Sequence, residues 1–353
     1  MRRGARSLAL LASLVAACGG RGDDSAGGEA GEAAAAGEGS EAGAIGDAGA
    51  SGEAGEAGAG GAGEAGAGGQ GEALEPTEPP AFEGPPWQPR PCPPEMALVR
   101  DAVCVDRWEA SLVDKDSGLE LSPHYPSSRK LALLVDDVWQ KERLHTGGPR
   151  ARLMPLPPLP AWQRERDAEP MAVSRPGVVP SGYISGVVAA KACENAGKRL
   201  CRHDEWLAAC RGEANRQFPY GDEYREGACN VHRAAHPAAI LHNNASVGHL
   251  DPRLNLVTEG GKPLLRRTGE TPECQSRWRG VALFDLNGNL DEWVDDPGGR
   301  FVGGFFSRST KNGCQASVSN HPPRYFDYST GVRCCKDPDR RAATPPGGSR
   351  GQP

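Results

Sequence analysis

Chemistry in this chain would come from sulfur first. Eleven of its 353 residues are cysteine, many for a cytosolic protein, and an oxidising compartment is their simpler setting. Cys334 and Cys335 are vicinal, which suits either a redox pair or two separate structural bridges. Cys92 and Cys104 flank a segment of hairpin length and are expected to pair. His232 and His236 stand at i,i+4, a spacing that puts two imidazoles on one helix face for a metal. Pro237 follows at once and no helical face surrounds them, which favours a chance pair in a loop. A Ser/His/Asp set can be assembled on paper, but no nucleophile motif of the G-x-S-x-G kind supports it. No catalytic residue is nominated.

The elements that would carry these residues differ along the chain. Met1 to Arg6 is a basic start, and Ser7 to Ala17 is an apolar run too short to span a bilayer as a stable helix. It ends in Leu14-Val15-Ala16-Ala17-Cys18, which resembles a bacterial lipobox with Cys18 as the residue acylated after cleavage. Residues 1–18 are therefore expected to be a lipoprotein signal peptide. Gly19 rather than Asp follows Cys18, and in a two-membrane host the resemblance implies sorting to the outer membrane or cell surface. Residues 19–91 are dominated by Gly, Ala and Glu and then by Pro. Such a stretch cannot bury enough apolar surface to offset its ordering entropy, and it is expected to be a disordered tether. A flexible coil of about 70 residues would span roughly 45 Å root-mean-square. Glycine recurs at every third position only between Gly52 and Gly61, without proline, so collagen is rejected. The formal net charge of −6 gives no argument for nucleic acid as a partner.

Residues 92–336 are long enough for one domain with a real core, and 337–353 read as a disordered tail. Met96 to Ser111 reads as two short strands around a polar turn. Residues 114–180, rich in proline and charge, read as a long loop-rich insertion with one short helix near Leu131–Leu144. Val187, Val188, Ala192 and Cys193 mark one helical face with a stop at Gly197. Glu205 to Cys210 opens a second helix that ends at Gly212. Trp206 and Trp293 are expected in the core.

Four blocks then fall in a recognisable order. They are Ala196-Gly197-Lys198-Arg199-Leu200-Cys201 followed by Asp204-Glu205-Trp206; Phe218-Pro219-Tyr220-Gly221-Asp222; Phe284 to Val294; and Phe301-Val302-Gly303-Gly304 with Gly331-Val332-Arg333-Cys334. Together they resemble the formylglycine-generating, or sulfatase-modifying factor, family over roughly residues 92–336. The resemblance implies an irregular, loop-rich α+β fold related to C-type lectin domains and stapled by disulfides. It implies the bridges Cys193–Cys334 and Cys210–Cys314. Cys229–Cys274 and Cys201–Cys335 follow by elimination only, since ten cysteines allow roughly 945 connectivities.

Members of that family that make formylglycine use two cysteines shortly after the Gly-Gly turn, whose soft thiolates bind copper(I). Here Gly303-Gly304 leads into Phe305-Phe306-Ser307-Arg308-Ser309, and no cysteine occurs before Cys314. No copper is expected. The resemblance does imply calcium, held by Asp285 and Glu292 carboxylates with Gly288 and Leu290 carbonyls, and a second site near Asn230 and Val231. The substrate groove of the family would run beside Phe305, Phe306, Arg308 and Ser309. The function expected is a lipid-anchored protein of the cell envelope that binds a peptide, a glycan or another envelope protein without catalysis. The alternatives are a metal-dependent oxidase or protein-modifying enzyme with non-cysteine ligands on the same scaffold, and a structural envelope protein.

Overall fold

A computed structural model describes residues 91–233, 235–308 and 311–339. The sequence-predicted hairpin is present as β1 (Met96–Val99) and β2 (Val103–Asp106), paired antiparallel with Val99 opposite Val103. Arg100 and Asp101 take the turn with φ of 51° and 56°, the left-handed geometry that lets a short loop follow the strand twist. β3 (Ala110–Asp114) follows and pairs with β4 (Pro170–Ser174), so the 114–180 insertion begins and ends on one two-stranded sheet.

That insertion is more ordered than its proline content predicts. α1 (Arg129–Glu142) buries Ala132, Val135, Asp136 and Trp139, an i, i+3, i+4, i+7 stripe. It is followed by the short α2 (Pro149–Leu153) and α3 (Ala161–Glu165). Trp139, Tyr125 and Leu159 form a local core. Its one buried carboxylate is satisfied: Asp136 accepts from Tyr125 Oη at 3.1 Å and pairs with Arg164 at 2.7 Å. The expected single helix is therefore one of three, because a stripe of four buried positions suffices to dock it beside proline-shaped loops.

The two helices of the best-defined sequence block are α4 (Gly186–Asn195) and α5 (His203–Arg211). Ser185 Oγ accepts the Val188 N–H at the start of α4, satisfying one of the donors a helix start leaves open. Gly186 presses on the core: a Cβ there would lie 3.0 Å from the Trp293 ring. The helices stop where read, at Gly197 (φ 68°) and Gly212 (φ 65°). Between them β5 (Arg199–Leu200) joins a four-stranded sheet.

The remaining strands are short. They are β6 (Thr258–Glu259), β7 (Lys262–Pro263), β8 (Gln275–Trp278), β9 (Val281–Phe284), β10 (Asp291–Val294), β11 (Arg300–Val302), β12 (Ser317–Val318), β13 (Thr330–Val332) and β14 (Cys334–Lys336). One sheet runs β1-β2-β14-β5 and the other β12-β11-β10-β13, with β10 and β13 parallel. A last helix, α6 (Pro237–His242), precedes β6. Trp206 and Trp293 are fully buried in separate core clusters. Among the described residues no helix is long and apolar enough to cross a membrane.

Five disulfides staple these elements: Cys92–Cys104, Cys193–Cys334, Cys201–Cys335, Cys210–Cys314 and Cys229–Cys274. They are the pairs named from the sequence. Cys334 and Cys335, side by side on β14, are bridged to Cys193 on α4 and to Cys201 just after β5, and not to each other. Three of the bridges close loops of more than 100 residues, each worth roughly 2–4 kcal/mol by constraining the unfolded chain. For a domain of short strands that is a large share of its stability.

Candidate functional site

The centre of the domain is a buried charge cluster. Arg333, in the link between β13 and β14, is fully buried, and Glu292 on β10 is 1% exposed. The guanidinium donates to Glu292 from Nε (2.9 and 3.0 Å) and from one terminal nitrogen (2.7 Å). Its other donors reach the carbonyls of Asp106 (2.9 Å) and Phe284 (2.8 Å). Trp206 Nε1 also donates to Glu292. Arg333 thus binds β2, β9 and β10 to the last strand with a planar fork that lysine could not reproduce. Glu109 and Asp285 lie close to this pair. Burial pushes the Glu109 carboxyl well above the ordinary carboxylate range, reinforced by Asp285 and Glu292. Burial likewise pushes Asp285 up to about 7, against the Gly269 N–H that donates to it.

The residues expected to hold calcium have protein partners in this arrangement. The carboxylate of Glu292 is committed to Arg333 and Trp206, and a cation beside it would face a guanidinium. Asp285 is held by the Gly269 N–H at 2.7 Å. The second expected site is closed as well. Asn230 donates to Leu264 O and Asn289 Oδ1, both at 2.8 Å, and accepts from Arg233, while Val231 packs in a small core with Cys229 and Cys274. The two segments meet directly. Asn289 N donates to Asn230 O at 2.8 Å, and a Cβ on Gly288 (φ 93°) would fall 2.2 Å from that oxygen. Two buried side-chain oxygens of this segment have no hydrogen-bond partner, Asn287 Oδ1 and Asp291 Oδ1, fewer than the six-to-eight-oxygen shell calcium takes. Among the described residues no group of three or more His, Cys, Asp or Glu is placed to hold a metal. As they are paired here, the Asp285, Glu292 and Asn230 side chains do not present that shell.

The groove residues divide. Phe306 is fully buried in a core cluster with Leu241, Leu254 and Tyr328, so it cannot line a groove. The chain turns after Gly304 (φ 76°) and seats both phenylalanines in that cluster, Phe306 completely and Phe305 with a small part of its ring left exposed. Phe305 is 8% exposed, and Arg308 lies over its ring at 5.1 Å. The Arg308 guanidinium pairs with Asp291, a fully buried carboxylate whose pKa burial pushes up to about 7 against the pull of Arg308. Ser309 and Cys18 lie outside the described residues.

Three residues that sequence reasoning did not single out in this role complete the face. Tyr328 meets the Phe305 ring edge-on, with ring centres 5.6 Å apart. His236 Nε2 lies 2.7 Å from Tyr328 Oη. The Ala238 N–H donates to His236 Nδ1 at 3.2 Å. His236 therefore caps α6, with Pro237 as its first residue, and the imidazole pair with His232 is not on a helix face. With Nδ1 accepting, the neutral ring carries its proton on Nε2 and donates to the tyrosine. Burial, then His249, holds the His236 pKa below the ordinary range, consistent with that neutral form. His249 stands 6.0 Å from His236, ring to ring. Arg308, His236 and His249 are half-buried, so the face offers a guanidinium, two imidazoles and an aromatic edge to a ligand. A proline after a lone histidine was the signal for the cap.

Comparison with known proteins gives a family and distant structural likenesses. The model of the sulfatase-modifying factor enzyme 1-like domain matches residues 160–338. No curated protein matches the sequence. Among solved structures the chain is similar to the U1 variant of Major Tropism Determinant, with a TM-score of 0.35 at 15% identity, over 70% of this chain and 54% of that one. The I1 variant gives 0.36 at 14% identity over 70% and 55%. The structure of CarF gives 0.28 at 14% identity over 67% and 87%. The chain spans about half the length of the tropism determinants it matches.

Proposed function

The chain belongs to the sulfatase-modifying factor enzyme 1-like domain family, and we propose that it is a non-catalytic binding or accessory member of it. The observation that carries this reading is the segment after Gly303-Gly304. Where the resemblance places two copper-binding cysteines, Phe306 is seated in the core and Arg308 is clamped on Asp291. All ten described cysteines are in disulfides. No thiolate remains in the domain to bind copper(I) or to enter disulfide exchange with a substrate cysteine.

In this proposal Cys18 is lipidated and the Gly/Ala/Glu tether holds the domain off the membrane at the cell envelope. The half-buried side chains of Arg308, His236 and His249, around the buried ring of Phe305, contact the partner, a peptide, a glycan or another envelope protein. A planar guanidinium beside aromatic edges is the composition that concentrates binding energy at interfaces.

The test uses the purified full chain, copper(I) and a cysteine-bearing sulfatase peptide. The expected result is no formylglycine product and no copper retained through desalting. Product formation, or stoichiometric retention of iron or copper, would overturn the reading in favour of an enzyme with non-cysteine ligands.

A further inference from the structure

The protein carries an excess of negative charge, yet its cleft at the end of α5 is positive. The cavity, about 560 Å³, is lined by Arg211, Arg216, Arg225 and Arg277 against Glu213 and Glu273. Two of the arginines are already neutralised: Arg216 pairs with Asp222, and Arg225 pairs with Glu273 at 2.6 Å. The other two are not. Arg211 donates only to the Asn215 amide oxygen at 3.4 Å, and its buried Nε has no partner. Arg277 donates to the Gly280 carbonyl and the Gln275 side-chain oxygen, both at 3.2 Å. Among the described residues no carboxylate lies in ion-pair range of either.

Their backbones are in contact. Gly212, next to Arg211, sits so that a Cβ would lie 3.3 Å from Arg277 N and O, and Glu213 N donates to Arg277 O at 3.1 Å. The frame is fixed on both sides by disulfides, since Cys210 adjoins Arg211 and Cys274 lies between Glu273 and Gln275. Two guanidiniums without a carboxylate partner thus line one cleft from a stapled frame, and planar forks of this kind bind carboxylate or sulfate bidentately.

We propose that this cleft binds an acidic saccharide, with Arg211 and Arg277 taking its carboxylate or sulfate. The inference goes beyond the proposed binding face around Arg308 and shares no residue with it. The cavity is far larger than one oxyanion, so the charged group arrives on a larger ligand. Glu213, Glu273 and the Gln275 amide oxygen interrupt the positive wall with acceptors. Acceptors suit the hydroxyl groups of a sugar and repel a run of acidic side chains, which argues against an acidic protein segment.

Calorimetric titration of the full chain tests this with a sulfated oligosaccharide, an oligouronate, the neutral parent sugar and polyglutamate. The expected result is binding of one or both acidic sugars, at least about tenfold tighter than the neutral sugar and polyglutamate. Arg211→Gln and Arg277→Gln should each weaken it by about tenfold or more with near-ultraviolet circular dichroism unchanged, and Arg308→Ala should leave it intact. No binding of either acidic sugar, equal binding of polyglutamate, or full affinity in both arginine variants would overturn the proposal. Loss of sugar binding in Arg308→Ala alone would overturn the cleft while leaving a binding role at the other face.

Discussion

Replacing Arg333 by methionine is the most demanding perturbation of the domain centre. The change keeps most of the volume and removes one buried cation. Glu292 loses three contacts of 2.7–3.0 Å, and the carbonyls of Asp106 and Phe284 each lose a donor. Breaking a buried pair by removing one partner costs about 3–5 kcal/mol, and each carbonyl left unpaired adds about 1–3 kcal/mol. Protonation of Glu292 recovers part of this. The net expectation is about 4–6 kcal/mol, a large part of the roughly 5–15 kcal/mol that holds a domain together. Urea unfolding with the disulfides intact measures it, and a double-mutant cycle with Glu292→Gln should return a coupling of about 2 kcal/mol or more. The same curves taken in calcium and in a chelator separate the two roles open to Glu292. If the carboxylate belongs to Arg333, they superimpose. A calcium site occupied at a hundred times its dissociation constant would shift stability by about 2.7 kcal/mol. A cost below about 1 kcal/mol, additivity in the cycle, or a calcium-dependent midpoint would refute the reasoning.

The buried carboxyls set a pH dependence. Asp285 and Asp291 are pushed by burial to about 7 and Asp106 to about 6, so between about pH 4 and 7 the native state holds protons that the unfolded chain has lost. Stability should therefore fall as pH rises through that window, by up to about 1.4 kcal/mol per pH unit for each group; a urea midpoint higher at pH 7.5 than at pH 5 would contradict this. Burial raises Asp251, but His242 and Arg253 outweigh it and hold that carboxyl below its ordinary value, so its contribution is lost only as pH falls further. In the insertion, Trp139→Ala should cost about 3–5 kcal/mol and expose residues 114–180 to limited proteolysis, and an unchanged cleavage pattern would mean that this core does not hold the segment.

The parts of the fold that local chemistry dictates are legible in the sequence. Gly197 and Gly212 end α4 and α5 at positive φ, a region glycine enters without steric cost. The β1–β2 hairpin follows from a polar turn between apolar strands. The cysteine pairs needed the family resemblance, since spacing alone leaves their connectivity open. The insertion was hidden by prolines that shape the loops around α1 without interrupting its buried stripe. Glu292 pairs with Arg333, 41 residues away, a pairing no local pattern announces. Phe305 and Phe306 both join one core cluster, formed with residues from distant segments that no local pattern announces. His249 and Tyr328 reach His236 from distant segments, so that face exists only in three dimensions.

The central claim is that the domain keeps the family's scaffold without its sulfur chemistry. Peptide mapping of disulfides, with a free-thiol count on the purified protein from Pro91 onward, tests it most directly. The account predicts no free thiol and the bridges Cys92–Cys104, Cys193–Cys334, Cys201–Cys335, Cys210–Cys314 and Cys229–Cys274. A free and accessible Cys314, or a Cys334–Cys335 pair that titrates as thiols, would contradict it and return thiolate chemistry to the site.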